Sequence, residues 1–297
     1  MKALRGHTGS SISHAQSGIN LLAEQSNGSS KLPRSTIPFT SLSRLEVFFN
    51  RVDASLIAML GKRPMDLCKG SPPSPPGFHS TIPPAFTSLE EARYSLDYHW
   101  NRCIHETDST HPVTDQELEQ LFRNRPHYER IFQDWQIAFQ AFLSHHPNPS
   151  YHQVQSARML QIIHTISIIS LRCATNNGSL PETSFDTCVP LYARIVSLAR
   201  DLTSAQLAVE GSEGMKTPRF SLEMNIIAPL YAVAHRCRDP RLRREAVAIM
   251  RACHRREGVW DSLQAAMVAE TVIHIEVCTF SSVKTSQKYQ KCDEACA

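Results

Sequence analysis

Apolar residues return every three to four positions along most of this chain, the period of one buried helix face. Over 12–22 the stripe is Ile12, Ala15, Ile19 and Leu22; over 41–60 it is Leu42, Leu45, Phe49, Val52, Leu56 and Met59. Between 61 and 87 the pattern breaks. The stretch SPPSPPGFHSTIPP is neither helix interior nor central strand, because proline fixes φ and lacks a donor. A plain connector is preferred there over a proline-rich recognition segment.

The helical pattern restarts at Ser88. Ser88-Leu-Glu-Glu91 reads as a capping box, with Leu89, Ala92, Leu96, Trp100 and Cys103 as the buried stripe behind it. Thr114-Asp-Gln-Glu117 reads as a second box, opening a helix to about 145 that is expected to be interrupted at Pro126. Further helices are expected over about 151–174, 186–208, 220–236, 240–257 and 262–279. No Asn-Gly or Asp-Gly pair joins two alternating runs, so hairpins are not indicated. The expected fold is all-α, an irregular array of antiparallel helix pairs, without the fixed period of a solenoid. The expected organisation is N-terminal helices over 1–60, a Pro-rich loop or linker over 61–87, a main helical domain over 88–280, and a polar tail without structure over 281–297.

Composition adds little to this picture and removes several function classes. With 297 residues, 41% hydrophobic and 20% charged, the chain can bury a sizeable core. A net charge of +3 makes no global case for nucleic-acid binding. The longest apolar run, Met159 to Leu171, falls short of the roughly 20 residues that span a bilayer, and it carries Gln161 and His164. The nine cysteines are odd in number and widely spaced, and MKALRGHTGSS has no signal-peptide core, so a reducing compartment is expected. Asn27-Gly-Ser and Asn177-Gly-Ser are then chance matches to a glycosylation pattern.

Residues 237–262, CRDPRLRREAVAIMRACHRREGVWDS, concentrate the candidate chemistry. Asp239 is a good N-cap and Pro240 suits the first helical position. Leu242, Ala246, Ile249, Met250 and Cys253 form an apolar stripe, and Gly258 is expected to stop the helix. Arg241, Arg243, Arg244, Arg251, Arg255 and Arg256 take the other faces. This face is either solvated, with Glu245 and Glu257 as ion-pair partners, or a docking patch for an acidic partner or a phosphate. A metal site does not fit: Cys237 and Cys253 are far apart in sequence, whereas structural zinc ligands come in close pairs.

No GxxxxGK[ST], GxGxxG, HExxH or GxSxG pattern occurs, so no enzyme, cofactor or metal is expected. His145, His146 and His152 fall in a loop, HHPNPSYH, without a neighbouring acid, and read as solvated. His164 and His274 sit on apolar helices and read as core histidines with a hydrogen-bond partner.

Four segments carry a resemblance: SLEEARYSLDYHWNRC (88–103), FDTCVPLYARIVSLARDL (185–202), FSLEMNIIAPLYAVAHRCRDPRLRREAVAIMRACHRREGVWDS (220–262) and AAMVAETVIHIE (265–276). They resemble the C-terminal regulatory region of fungal zinc-cluster (Zn2Cys6) transcription factors. IIAPLYAVAHRCRDPRLRREA is the most specific part, and ALRGHTGSSISHAQSGINLL and LEVFFNRVDASLIAMLG also fit, so the resemblance covers about residues 2–280. It implies a transcriptional regulator in the nucleus, with the cytoplasm as the alternative. The compact six-cysteine array that holds zinc and reads DNA in that family is not in this sequence, so no DNA-binding residue carries over. The chain is therefore expected to be a truncated relative that works through protein partners, an intact zinc-cluster factor or a second copy, with no direct nucleic-acid or membrane contact. The alternative is a helical interaction scaffold without a transcriptional role, docking through the arginine face.

Overall fold

A computed structural model describes residues 81–107, 115–173, 182–213, 219–221, 225–258 and 260–295, with isolated positions between 13 and 51. The fold is all-α. In chain order come α1 (Leu89–Thr107), α2 (Asp115–His145), α3 (Tyr151–Arg172), a 3-10 turn (Glu182–Cys188), α4 (Val189–Glu213), α5 (Ile227–Arg236), α6 (Pro240–Ala252) and α7 (Ser262–Ala295). Three short strands, β1 (Arg219–Ser221), β2 (Arg255–Glu257) and β3 (Trp260–Asp261), form a small sheet in the order β1-β2-β3.

Local chemistry sets the helix starts. Ser88 Oγ accepts from Glu91 N at 3.1 Å, and the Glu91 carboxylate accepts from Thr87 N at 2.7 Å, one residue before the expected partner. Thr114 lies outside the described residues. An unexpected box opens α3: Ser150 Oγ accepts from Gln153 N, and Gln153 Oε1 accepts from Ser150 N at 2.8 Å. Asp239 caps α6 as its sequence indicates, accepting from Arg241 N at 2.8 Å and Leu242 N at 3.1 Å, with Pro240 in the first turn.

Two apolar clusters meet at α3. One packs Phe86, Ala92, Leu96, Tyr128, Phe132, Trp135 and Phe139 of α1 and α2, with the residue before them, against Leu160 and Ile163. The other packs Ile162 and Ile169 against Tyr192, Ile195, Ile227, Leu230, Ala246, Met250 and Ala266 of α4 to α7. Of the stripes expected for α1 and α6, Ala92, Leu96 and Cys103, then Ala246, Ile249, Met250 and Cys253 are buried, while Leu89, Trp100 and Leu242 are half-buried.

Several expectations need correction. α2 runs through Pro126 without a break. The lost backbone bond is offset by the aromatic face that follows, where Tyr128, Phe132, Trp135 and Phe139 are each 1% exposed. Residues 219–221 are a strand and not the start of a helix, and α6 ends at Ala252, not 257. His254 takes φ 38 and turns the chain into β2, which pairs in parallel with β1 and antiparallel with β3. Gly258, with φ 57, turns β2 into β3. The backbone of α7 continues to Ala295, through the polar segment for which no structure is expected.

Ile12, Ala15, Ile19 and Leu22 of the first N-terminal stripe, and Leu42, Val52, Leu56 and Met59 of the second, lie outside the described residues; the positions described between 13 and 51, Leu45 and Phe49 among them, are helical. Gly18 lies close to Phe49, and an added Cβ there would collide with the Phe49 ring. Arg51 Nε donates to Asp97 at 2.6 Å and ties the second stripe to α1. Of the expected connector, residues 61–80 lie outside the described residues. Phe86, near its end, is buried with its ring 5.7 Å from that of Trp135.

Candidate functional site

The arginine-rich segment does not form one face. Asp239 sets the phase of α6, and the chain leaves the helix before Arg255, so Arg255 and Arg256 sit on β2. Arg243 is half-buried: Nε donates to the Ala234 carbonyl at 2.7 Å, and its guanidinium pairs with Glu276 of α7. It thus joins the last turn of α5 to α7. Arg251 makes a two-pronged pair with Glu270 of α7, with Nε 2.8 Å from Oε1. That pair holds the Glu270 carboxyl below its ordinary range. Arg241 and Arg244 are exposed and hold no ion pair among the described residues.

Of the two glutamates expected to answer this face, Glu245 goes elsewhere and Glu257 pairs with Arg255 alone among its arginines. Glu245 pairs with Arg200 of α4. Glu257 is 1% exposed and points inward. Its carboxylate accepts from the amides of Asn225 at 2.9 Å, Ile226 at 3.2 Å and Ile227 at 3.0 Å, so a side chain from β2 caps the start of α5. Burial pushes this carboxyl up, against the opposing pull of Arg255 and the three amides. Arg255 reaches Glu257 at 3.4 Å and the side-chain oxygen of Gln206 on α4 at 3.3 Å.

Gln206 and Arg255 also line a cavity of about 500 Å³ that the sequence does not announce. Its walls come from the first turns of α1, the first half of α3, the second half of α4, the residues just before α5, and Arg255 of β2. Each contributor is ordinary in its own element, and only the packing of these elements on one another opens the space.

The histidines part company. His164 is 1% exposed, donates from Nε2 to the Phe132 carbonyl at 2.8 Å, and stacks on Trp135 at 4.8 Å, as a core histidine should. His274 is exposed, its Nε2 3.6 Å from Cys278 Sγ, which corrects the expectation that it is buried. His152 lies in the first turn of α3, not in a loop, and His146 donates to the Phe142 carbonyl at 2.8 Å. Among the described residues no three His, Cys, Asp or Glu side chains are grouped to hold a metal, and no helix is long and apolar enough to cross a membrane. Cys173 and Cys188 are free thiols with sulfurs 3.8 Å apart.

No family model matches the chain. No solved structure matches it. The chain is similar to the aspercryptin biosynthesis cluster-specific transcription regulator of Emericella nidulans, at 22% identity over 88% of this chain and 54% of that protein. It therefore spans about half the length of the curated relative it matches.

Proposed function

We propose that this chain regulates transcription by holding a protein partner and not by contacting DNA itself. The observation that carries the reading is the alignment with a cluster-specific transcription regulator, which takes in 88% of the chain. A relative of that kind also supports a non-enzymatic, nuclear role, and a link to the control of secondary metabolism. Affiliation with the zinc-cluster factors rests on the resemblance of the α5–α6 segment, IIAPLYAVAHRCRDPRLRREA. An intact zinc-cluster factor, or a second copy of this chain, is the partner proposed.

Within the arginine segment the docking role narrows. Arg243 and Arg251 are committed to α7, and Arg255 to Glu257 and Gln206. Arg241 and Arg244, exposed on the outer side of α6, are the part of the face available to an acidic partner.

Affinity purification of the tagged chain from nuclear extract tests this directly. Recovery of a sequence-specific DNA-binding protein, weakened by the double change Arg241→Ser and Arg244→Ser, is the expected result. A purification that enriches no DNA-binding partner would leave the chain a helical scaffold without a transcriptional role.

A further inference from the structure

We propose that the cavity between α1, α3, α4 and α5 binds a small amphipathic carboxylate. Its carboxylate is set on Arg255 and Thr203, and its apolar body lies against Met159, Leu202 and Ile226. This goes beyond the transcriptional reading and does not depend on it.

The volume of about 500 Å³ falls within the range of small-molecule sites, roughly 300–1,000 Å³. The apolar wall is part of the two cores themselves. Ile226 is 1% exposed, Leu202 8%, and Met159 packs against both clusters, so this side is rigid. The polar wall is where the cavity differs from a packing fault. Thr203 is 5% exposed, lines the cavity, and its hydroxyl has no hydrogen-bond partner among the described residues. A buried hydroxyl without a partner is costly, and a ligand oxygen would satisfy it. Gln155, from α3, also lines the cavity with a side-chain oxygen that has no partner among the described residues. It would accept from a ligand hydroxyl.

Helical spacing places Thr203 and Gln206 side by side on α4. Gln206 accepts from Arg255 at 3.3 Å, and Thr203, Gln206 and Arg255 line the same cavity, so one ligand can reach both the guanidinium and the unsatisfied hydroxyl. The sign of the ligand charge follows from what already faces this point. Glu257 is neutralised by Arg255 together with three amides at the positive end of α5. Arg93, on the opposite wall, is matched by Asp97 at 3.1 Å. Glu257 and Asp97 lie behind the lining, and Glu90, the acid within it, is exposed. The interior thus offers donors and a shared guanidinium, which suits an anion and disfavours a cation.

Isothermal titration of the full chain with sodium decanoate, and with decyltrimethylammonium as the opposite charge on the same tail, tests the assignment. Decanoate should bind at one site per chain with a Kd on the order of 10–100 µM, and the cation should bind at least about tenfold more weakly. Thr203→Val keeps the shape and removes the hydroxyl. It should weaken decanoate about fivefold or more while leaving the free protein at least as stable. Ser156→Trp, at an exposed position of the lining, should block binding without touching the core. No saturable binding below 1 mM decanoate, equal affinity for the cation, or unchanged binding by Thr203→Val would each overturn the proposal; circular dichroism confirms that each variant is folded.

Discussion

At the scale of single residues, burial decides behaviour more than residue type does. His164 and His99 are 1% and 3% exposed, and burial pushes both imidazoles down to about 4, with Arg194 adding to the effect at His164 and Arg102 at His99. Because the folded values lie below the unfolded value near 6.5, the unfolded chain binds more protons between pH 6.5 and 4. Stability is therefore full above that window and falls as pH drops through it, by on the order of 3 kcal/mol for each group. Urea unfolding followed from pH 7 to pH 4.5 should show this slope, and His164→Gln should flatten it markedly. An unchanged slope in the variant would assign the acid sensitivity to other groups. Sequence does not separate His164 from His274, since both sit in apolar helical runs. What distinguishes them is which helix face the packing of α2 and α4 covers.

At the scale of elements, local signals were readable and distant ones were not. Capping at Ser88 and Asp239 depends on residues within four positions, and the structure realises both. The stripe of α6 is likewise where its period puts it. The sheet left no such mark. Strands of two and three residues have no period, and β2 exists because Glu257 crosses to cap α5 about 30 residues earlier in the chain. For the same reason the arginine face looked continuous: the acids that divide it, Glu270 and Glu276, lie on the next helix. Glu257→Gln keeps size but takes away one acceptor oxygen, so one of the α5 amides or Arg255 loses its bond. The change should cost about 2–4 kcal/mol in denaturant unfolding. Arg251→Ser, breaking an exposed pair, should shift the midpoint little. Equal stability of Glu257→Gln and the parent would refute the capping role.

At the scale of the whole molecule, α3 is the shared wall of two cores, one built on α1 and α2 and the other on α4 to α7. The all-α class was legible, because stripes such as those of α1 and α6 recur along the chain; the polar second half of α7 carried no such signal. The cavity was not, because several elements share it and none of them forms it singly. The arrangement supplies helical surfaces and committed internal ion pairs, and the described residues bring together no catalytic group. The chain is similar to a transcription regulator, and the proposed partner-holding role is what a functional assay has to test. The most direct measurement is transcription from a reporter when this chain is tethered upstream of it by an unrelated DNA-binding domain. The account predicts a change in reporter output relative to the DNA-binding domain alone, reduced by Arg241→Ser with Arg244→Ser. Output indistinguishable from that of the DNA-binding domain alone would contradict a role in transcription.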